Sequence, residues 1–460
     1  MARRRLLHPL PIGLMAALAG SAAPALASVP DHYGFSSRSA AMAGAVAGDA
    51  ADFSAGYYNP AGLAEAPGVE LAFGYTHYVQ HLQVNGLDNE VDDVHGLQAG
   101  VVAPGVLFGV PFAFSVGVHL PDDGLSFIKA RRQGVPRWEL YDARSQLLYL
   151  EVGLAVRPFD WLEVGGGLAY LSATRGSFAI RGRANILSPF DSELEHEVDA
   201  DLTAVRFPQA GLRLLLEDWG ALGVVYRGES SLDLQLDADL RGVVEWAGID
   251  VPLLYQLEAH TVAAFTPHQV AVGISFQRID DLHLNFDVTW MNWSGYISPT
   301  AKLKALLEVE PPEGIPIELP DEPAPTQFIP PNFEDRFVPR VGVEYVAGSF
   351  GSSRKVHGED RALVQLPVRL GYAYEPSPVP DQTGVTNLID ADRHTLTVGT
   401  GVTLNGLIEE LPGAIHLDLH GAFSLLPERI VHKDNPADFI GDYSASGSMY
   451  GGGGTLKVVF

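Results

Sequence analysis

Residues 281–293 read DLHLNFDVTWMNW. Successive side chains of an extended strand point to opposite faces, so Leu282, Leu284, Phe286, Val288 and Trp290 share one side. His283, Asn285, Asp287 and Thr289 share the other. The same alternation runs through Ile415, Leu417 and Leu419 against His416, Asp418 and His420, and through Leu366, Val368, Leu370, Tyr372 and Tyr374 against Pro367, Arg369, Gly371 and Ala373. In a soluble sandwich the apolar face is core. In a transmembrane barrel it meets lipid, and the polar face lines the lumen. Alternation by itself leaves both open.

The connections separate them. Strands are predicted near 69–83, 95–108, 111–120, 145–157, 161–175, 203–217, 220–236, 268–278, 281–293, 337–347, 365–375, 394–405, 413–426 and 449–460. Short links at Gly109-Val110, Pro158 to Asp160, Asp218-Trp219 and Ile279-Asp280 alternate with long ones at 121–144, 176–202, 237–267, 294–336, 376–393 and 427–448. Short periplasmic turns and longer outer loops are the rhythm of single-chain outer-membrane barrels. The connections 348–364 and 406–412 depart from it, being long where short turns are expected. The expected fold is all-β: a 14-stranded antiparallel transmembrane β-barrel over residues 69–460. Trp161, Trp219, Trp290 and Trp293 fall at strand ends, where interfacial aromatic girdles lie.

The ends and the composition agree. Arg3 to Arg5, the apolar stretch Leu6 to Ala19 and the triplet Ala25-Leu26-Ala27 before Ser28 read as a cleaved signal peptide over residues 1–27. At the other end Leu456, Val458 and Phe460 alternate with Thr455, Lys457 and Val459, an ending through which the barrel-assembly machinery is expected to engage the final strand. Cysteine is absent, as suits an oxidising compartment. A net charge of −26 argues against nucleic acid as a partner. The 49 glycines are spread through the strands rather than gathered in a linker. The cell outer membrane of a Gram-negative organism is the expected location.

Residues 31–68 are too rich in glycine and alanine for a lipid-facing strand. Gly34-Phe35, the run through Met42-Ala43-Gly44, Asp49 to Asp52 and Asn59-Pro60-Ala61-Gly62 resemble the amino-terminal hatch of the FadL/TodX family of outer-membrane channels for long-chain fatty acids and aromatic hydrocarbons. Phe265-Thr266-Pro267, the run Asp287 to Ser294, Arg369 to Tyr374, Ser377 to Asp381 and Asp392-Arg393 extend the resemblance over nearly the whole mature chain. It implies a monomeric barrel with residues 28–68 as a plug inside the lumen. It also implies passive transport of a hydrophobic small molecule, with lateral exit through a gap at a kinked third strand, here Pro111 to Leu120.

In the hatch, Asn59, Pro60, Ala61 and Gly62 are expected to lock the plug, or to be only a turn. Phe35, Phe53, Tyr57 and Tyr58 are expected either to line a ligand pocket or to anchor the plug. Arg369, His283 and Asp287 are lumen candidates, with Glu151, Arg213, His416 and Asp418 also facing inward. Arg369 suits a ligand carboxylate, because its planar fork matches that group. The acidic loop from Glu308 to Asp335 either shares divalent cations with lipopolysaccharide or is solvated. No nucleophile elbow, zinc-protease motif, phosphate loop or cysteine site occurs in the sequence, so no catalytic residue, cofactor or metal is expected. A rim enzyme of lipase or protease type, and a barrel acting in adhesion through its loops, are the alternatives to transport.

Overall fold

The computed structural model describes residues 21–22, 29–123, 131–132, 134–141, 147–185, 193–246, 249–297, 302–309, 329–384, 386–407, 413–436 and 438–460. Apart from Ser21 and Ala22, the predicted signal peptide lies outside these residues. So do Ser28 and residues 310–328 of the acidic loop.

Among the described residues fourteen strands close into one barrel. They are β1 Glu70–Val84, β2 Val94–Leu107, β3 Val110–Pro121, β4 Tyr149–Phe159, β5 Leu162–Asn185, β6 Glu193–Leu215, β7 Gly220–Arg227, β8 Gln269–Ile279, β9 Leu282–Met291, β10 Arg336–Val356, β11 Glu359–Glu375, β12 Arg393–Asn405, β13 Ala414–Val431 and β14 Tyr443–Val459. Each pairs antiparallel with its neighbour, and β14 returns to β1 from Glu70↔Val459 to Val84↔Ala445. Closure leaves no open sheet edge in the wall, as a lipid environment demands.

Alternation sets which side faces where. In β9, Leu284 and Phe286 are exposed while Asn285 and Asp287 are buried. In β1, Leu71, Phe73 and Tyr75 point out, and Glu70, Ala72 and Thr76 point in. Val368, Leu370 and Tyr372 of β11 and Leu417 and Leu419 of β13 continue the apolar belt. The stretch after β9 closes on the loops above it: Trp290 Nε1, Asn292 Nδ2 and Ser294 N all donate to the Asp335 carboxylate. Trp293 is buried against Phe265 and Tyr296.

The sequence reading is corrected at four places. The predicted strand 220–236 is two elements: β7 stays in the wall and pairs directly with β8, while Ser230–Trp246 leaves it as half of a hairpin with Ile249–Thr266. That hairpin also pairs with the far part of β5 and with Lys302–Val309, so much of the predicted loops 176–202 and 237–267 is sheet. The anomalous connection 348–364 is a hairpin extension of β10 and β11 that turns at His357-Gly358, with φ of 49° and 90°. Positive φ at both central residues is what a two-residue type I′ turn requires. The turn predicted at Gly109-Val110 lies one residue earlier, at Phe108-Gly109. Of the connection 406–412, residues 408–412 lie outside the described residues.

The gap implied at the third strand is also absent here. β3 keeps unshifted register with β2 from Gly96↔Pro121 to Leu107↔Val110, and with β4 from Phe112↔Val156 to His119↔Tyr149. Pro111 is the second residue of β3, a position that loses little from its missing N–H.

Candidate functional site

Residues 29–68 lie against the inner faces of the strands. Short helices α1 Val29–Tyr33, α2 Ser37–Ala41 and α3 Ala55–Tyr58, and a 3-10 turn Pro60–Glu65, are joined by close backbone bends. Asn59 organises the last of these. Its backbone is extended, its Oδ1 accepts from Ala61 N at 3.1 Å, and Pro60 starts the 3-10 turn where no N–H is needed. Its Nδ2 donates to Ala47 O at 2.7 Å and to Leu212 O of β6 at 3.3 Å, so one fully buried side chain ties the turn to the segment and to the wall.

The wall makes room with glycine. A Cβ at Gly211 would lie 2.1 Å from Asn59 Oδ1, one at Gly223 2.0 Å from Ala47 O, and one at Gly165 2.4 Å from Ala61 N. The glycines scattered through the strands therefore let the inner segment approach the sheet backbone.

Charge fixes the segment from several sides. Arg38 reaches Asp49 at 2.6 Å and Glu344 of β10 at 3.0 Å; Glu344 also takes Arg369, whose Nη1 reaches Asp418 at 2.6 Å. Arg213 pairs with Glu163 at 3.0 Å and with Glu65, and its Nε donates to Gly48 O. Lys457 stands 3.4 Å from Asp52 and 3.9 Å from Glu70, while Ala47 N donates to Asp287 Oδ2 at 2.9 Å. Burial by itself would raise the Asp49 carboxyl, but the Arg38 guanidinium and then His283 outweigh it and hold the group well below the ordinary carboxylate range. Burial likewise pushes the Tyr58 hydroxyl up to about 12.

The expected site residues fall into two groups. Phe35 and Phe53, both with no exposure, pack edge-to-face at 5.0 Å in a dry cluster that includes Leu63 and Tyr149. Asn59, Pro60, Ala61 and Gly62 are buried in the turn just described. Tyr57 and Tyr58 instead border a cavity of about 60 Å³, together with Tyr78, Arg227, Asp287 and Arg340. Arg369 is away from it and saturated by two carboxylates. His283 lies 3.7 Å from Asp49. Glu151, Arg213, His416 and Asp418 also face inward, and Oε1 of Glu151 has no hydrogen-bond partner. Tyr78, Arg227 and Arg340 were not singled out from sequence. Arg340 did carry a signal, since it shares the inward parity of Arg336 and Glu344 along β10.

No protein-family model matches the chain. It is 23% identical over 429 residues to alkane uptake protein A of Marinobacter nauticus, covering 88% of this chain and 86% of that protein. Among solved structures it is similar to a Pseudomonas aeruginosa FadL homologue, with TM-score 0.53 and 14% identity over 92% of this chain and 97% of that one. It is similar also to the CymD monoaromatic hydrocarbon channel, with TM-score 0.52 and 17% identity over 93% and 97%. These likenesses establish the fold. The resemblance to the FadL/TodX family thus holds in architecture. A closed barrel of this kind with an apolar belt belongs to the Gram-negative outer membrane.

Proposed function

We propose, taking this FadL/TodX-like barrel as the premise, that the chain is a passive outer-membrane channel for hydrophobic small molecules, with residues 28–68 as its plug. The observation that carries the reading is the inner segment itself, tied to the wall through Asn59, Arg38 and Lys457 and leaving a cavity of only about 60 Å³. That is room for a handful of water molecules, at roughly 10–15 Å³ of such space each. Pockets for small molecules usually span about 300–1,000 Å³. The structure is therefore read as a closed state, and passage requires the plug to shift.

Function follows from the barrier an apolar solute meets. The charged outer leaflet excludes it, so a protein path lowers the barrier without an energy source, and burial of apolar surface supplies affinity at roughly 25 cal/mol per Å². The known proteins it is similar to are named for alkane uptake and for hydrocarbon passage, which supports a channel rather than a rim enzyme or an adhesin. The whole path lies within one chain, so a monomer suffices.

Single-channel recording of the refolded protein in planar bilayers tests the plug, comparing the full mature chain with one lacking residues 28–68. The expected result is near silence for the first and a wide pore for the second. Uptake of labelled palmitate and hexadecane into liposomes tests the cargo. Rates equal to those of protein-free liposomes for both compounds would refute transport.

A further inference from the structure

We infer that the hairpin over residues 348–364 is a strap across the periplasmic mouth of the barrel. Its tip is seated on the tether that joins the plug to β1, and it has to lift before the plug can swing out. The inference rests on the plug reading above and adds a second control to it.

Register shows where the hairpin leaves the wall. β10 keeps its partner β9 only as far as Leu282↔Tyr345, where Val346 N donates to Asp281 O at 2.9 Å. On the other side β11 keeps β12 as far as Val364↔Leu404. Past these points the two strands pair with each other alone, through to Val356↔Glu359. At about 3.3 Å per residue this ribbon is roughly 30 Å long, enough to pass beneath several neighbouring strands.

The ribbon does not hang free. It bends at the register shifts Val346/Gly348 and Phe350/Ser353, with Gly351 at a φ of 86°. Its course runs under β12 and on toward β14 and β1. A Cβ at Gly406, just past β12, would lie 3.3 Å from Arg354 Cβ and 3.8 Å from Val356 Cγ2. Asn405 Nδ2 donates to Ala362 O at 2.9 Å and to Gln365 Oε1 at 3.0 Å. At the tip, a Cβ at Gly68 would lie 2.8 Å from His357 Cε1, so only a glycine lets the imidazole edge come this close. Residues 349–361 are exposed except Val356, which is 2% exposed. The ribbon is thus seated by its end.

Gly68 is the joint between plug and wall. The 3-10 turn Pro60–Glu65 closes the plug, β1 begins at Glu70, and Phe460 N donates to Val69 O at 2.9 Å, which pins the wall side of the joint. Beside it Glu70 accepts from Phe53 N at 2.9 Å, and Lys457 stands between Glu70 and Asp52 of the plug. A plug that leaves toward the periplasm pivots on this joint, and the tip of the ribbon lies against the pivot.

The strap is built to release. A two-stranded ribbon is marginally stable by itself in water. Arg354 and Arg361 stand directly opposite each other, a like-charge pairing that weakens it, although Arg361 turns to Glu359 at 2.8 Å. Burial of Val356 and the contact of His357 with Gly68 hold the end down, so the ribbon can lift while the wall strands above it keep their register.

Two variants of the full mature chain test the strap. In the first, residues 351–363 are replaced by Asn-Gly, which closes the Phe350↔Val364 pair with a two-residue turn. In the second, Val356→Asp keeps the ribbon and puts a charge where its tip is buried. Single-channel recording and hydrogen exchange over residues 64–69 are read for both, beside the native chain and the chain lacking residues 28–68. Open probability is expected to rise about tenfold or more in each variant, the factor that burial of one valine is worth, with faster exchange over 64–69. Native-like silence in both variants while the chain lacking residues 28–68 opens widely would overturn the strap and leave the plug standing. Openings with unchanged exchange over 64–69 would overturn it too. If the chain lacking residues 28–68 is as silent as the native one, the plug reading falls and this inference with it. Heat-modifiable migration like that of the native chain shows that each variant has folded.

Discussion

The α-carbon of Gly56 faces the carboxylate of Glu151 so closely that a methyl group at position 56 would lie 1.8 Å from Oε2. Gly56 belongs to α3 of the plug and Glu151 to β4 of the wall, and both are buried. To relieve the clash, Glu151 would have to swing its carboxylate away within a buried site. Glu151 is packed near Phe35 and Gly117, and α3 is held by Asn59 N donating to Ala55 O.

Gly56→Ala is therefore expected to unseat the plug while the barrel still forms, because the clash lies at their interface and not within the wall. Single-channel recording should show frequent large openings where the native chain is nearly silent. A silent Gly56→Ala channel would mean that the plug can repack around the added carbon.

Asn59 supplies the second prediction. Its side chain satisfies Ala47 O and Ala61 N and touches Leu212 O, so Asn59→Ala leaves buried polar groups unpaired. The cost is about 1–3 kcal/mol per group, borne by docking of the plug. Hydrogen exchange over residues 44–66 should speed up markedly, while exchange in β8 to β11 stays as in the native chain. Unchanged exchange over 44–66 would show that the turn does not hold the segment.

The wall was legible because lipid imposes one rule on every strand, and Leu282 to Trp290 obeys it at every position. The extension of β5 and β6 past the wall was not legible, since alternation looks the same whether the apolar side meets lipid or another sheet. Residues 348–364 read as a turn because Gly348, Gly351 and Ser352 are turn formers; in the fold, register shifts at Val346/Gly348 and Phe350/Ser353 absorb them within a hairpin. The role of Arg369 was hidden for a different reason. Its partners Glu344 and Asp418 lie on β10 and β13, and only closed-barrel register shows that they consume it.

Acid should loosen the plug only below the ordinary carboxylate range. Burial would raise both Asp49 and Asp52, yet Arg38 beside the first, and Lys457 and Ser54 beside the second, hold both carboxyls low. A group lowered in the docked state contributes stability that is complete above its free value, about 3.9, and is lost as pH falls toward the docked value. Conductance should thus stay low from about pH 8 to 5 and rise below about pH 4. Opening that begins near pH 6 would show that groups other than these two aspartates control seating.

Arg369 and Arg340 should differ sharply on substitution by Met, although both face the lumen. Arg369→Met strips Asp418 of its ion pair and leaves Glu344 with Arg38 and the more distant His283. Removing one member of a buried pair costs about 3–5 kcal/mol, because the remaining charge stays desolvated and uncompensated. Arg340→Met breaks one bond to Thr289 and orphans no carboxylate, so its cost to the fold should stay near 1 kcal/mol, typical of a single hydrogen bond. The temperature at which the folded barrel converts to the slower-migrating unfolded form on cold electrophoresis reads the difference. It should fall clearly for Arg369→Met and barely for Arg340→Met. Equal falls would mean that Arg340 carries structural charge balance for the cavity carboxylates.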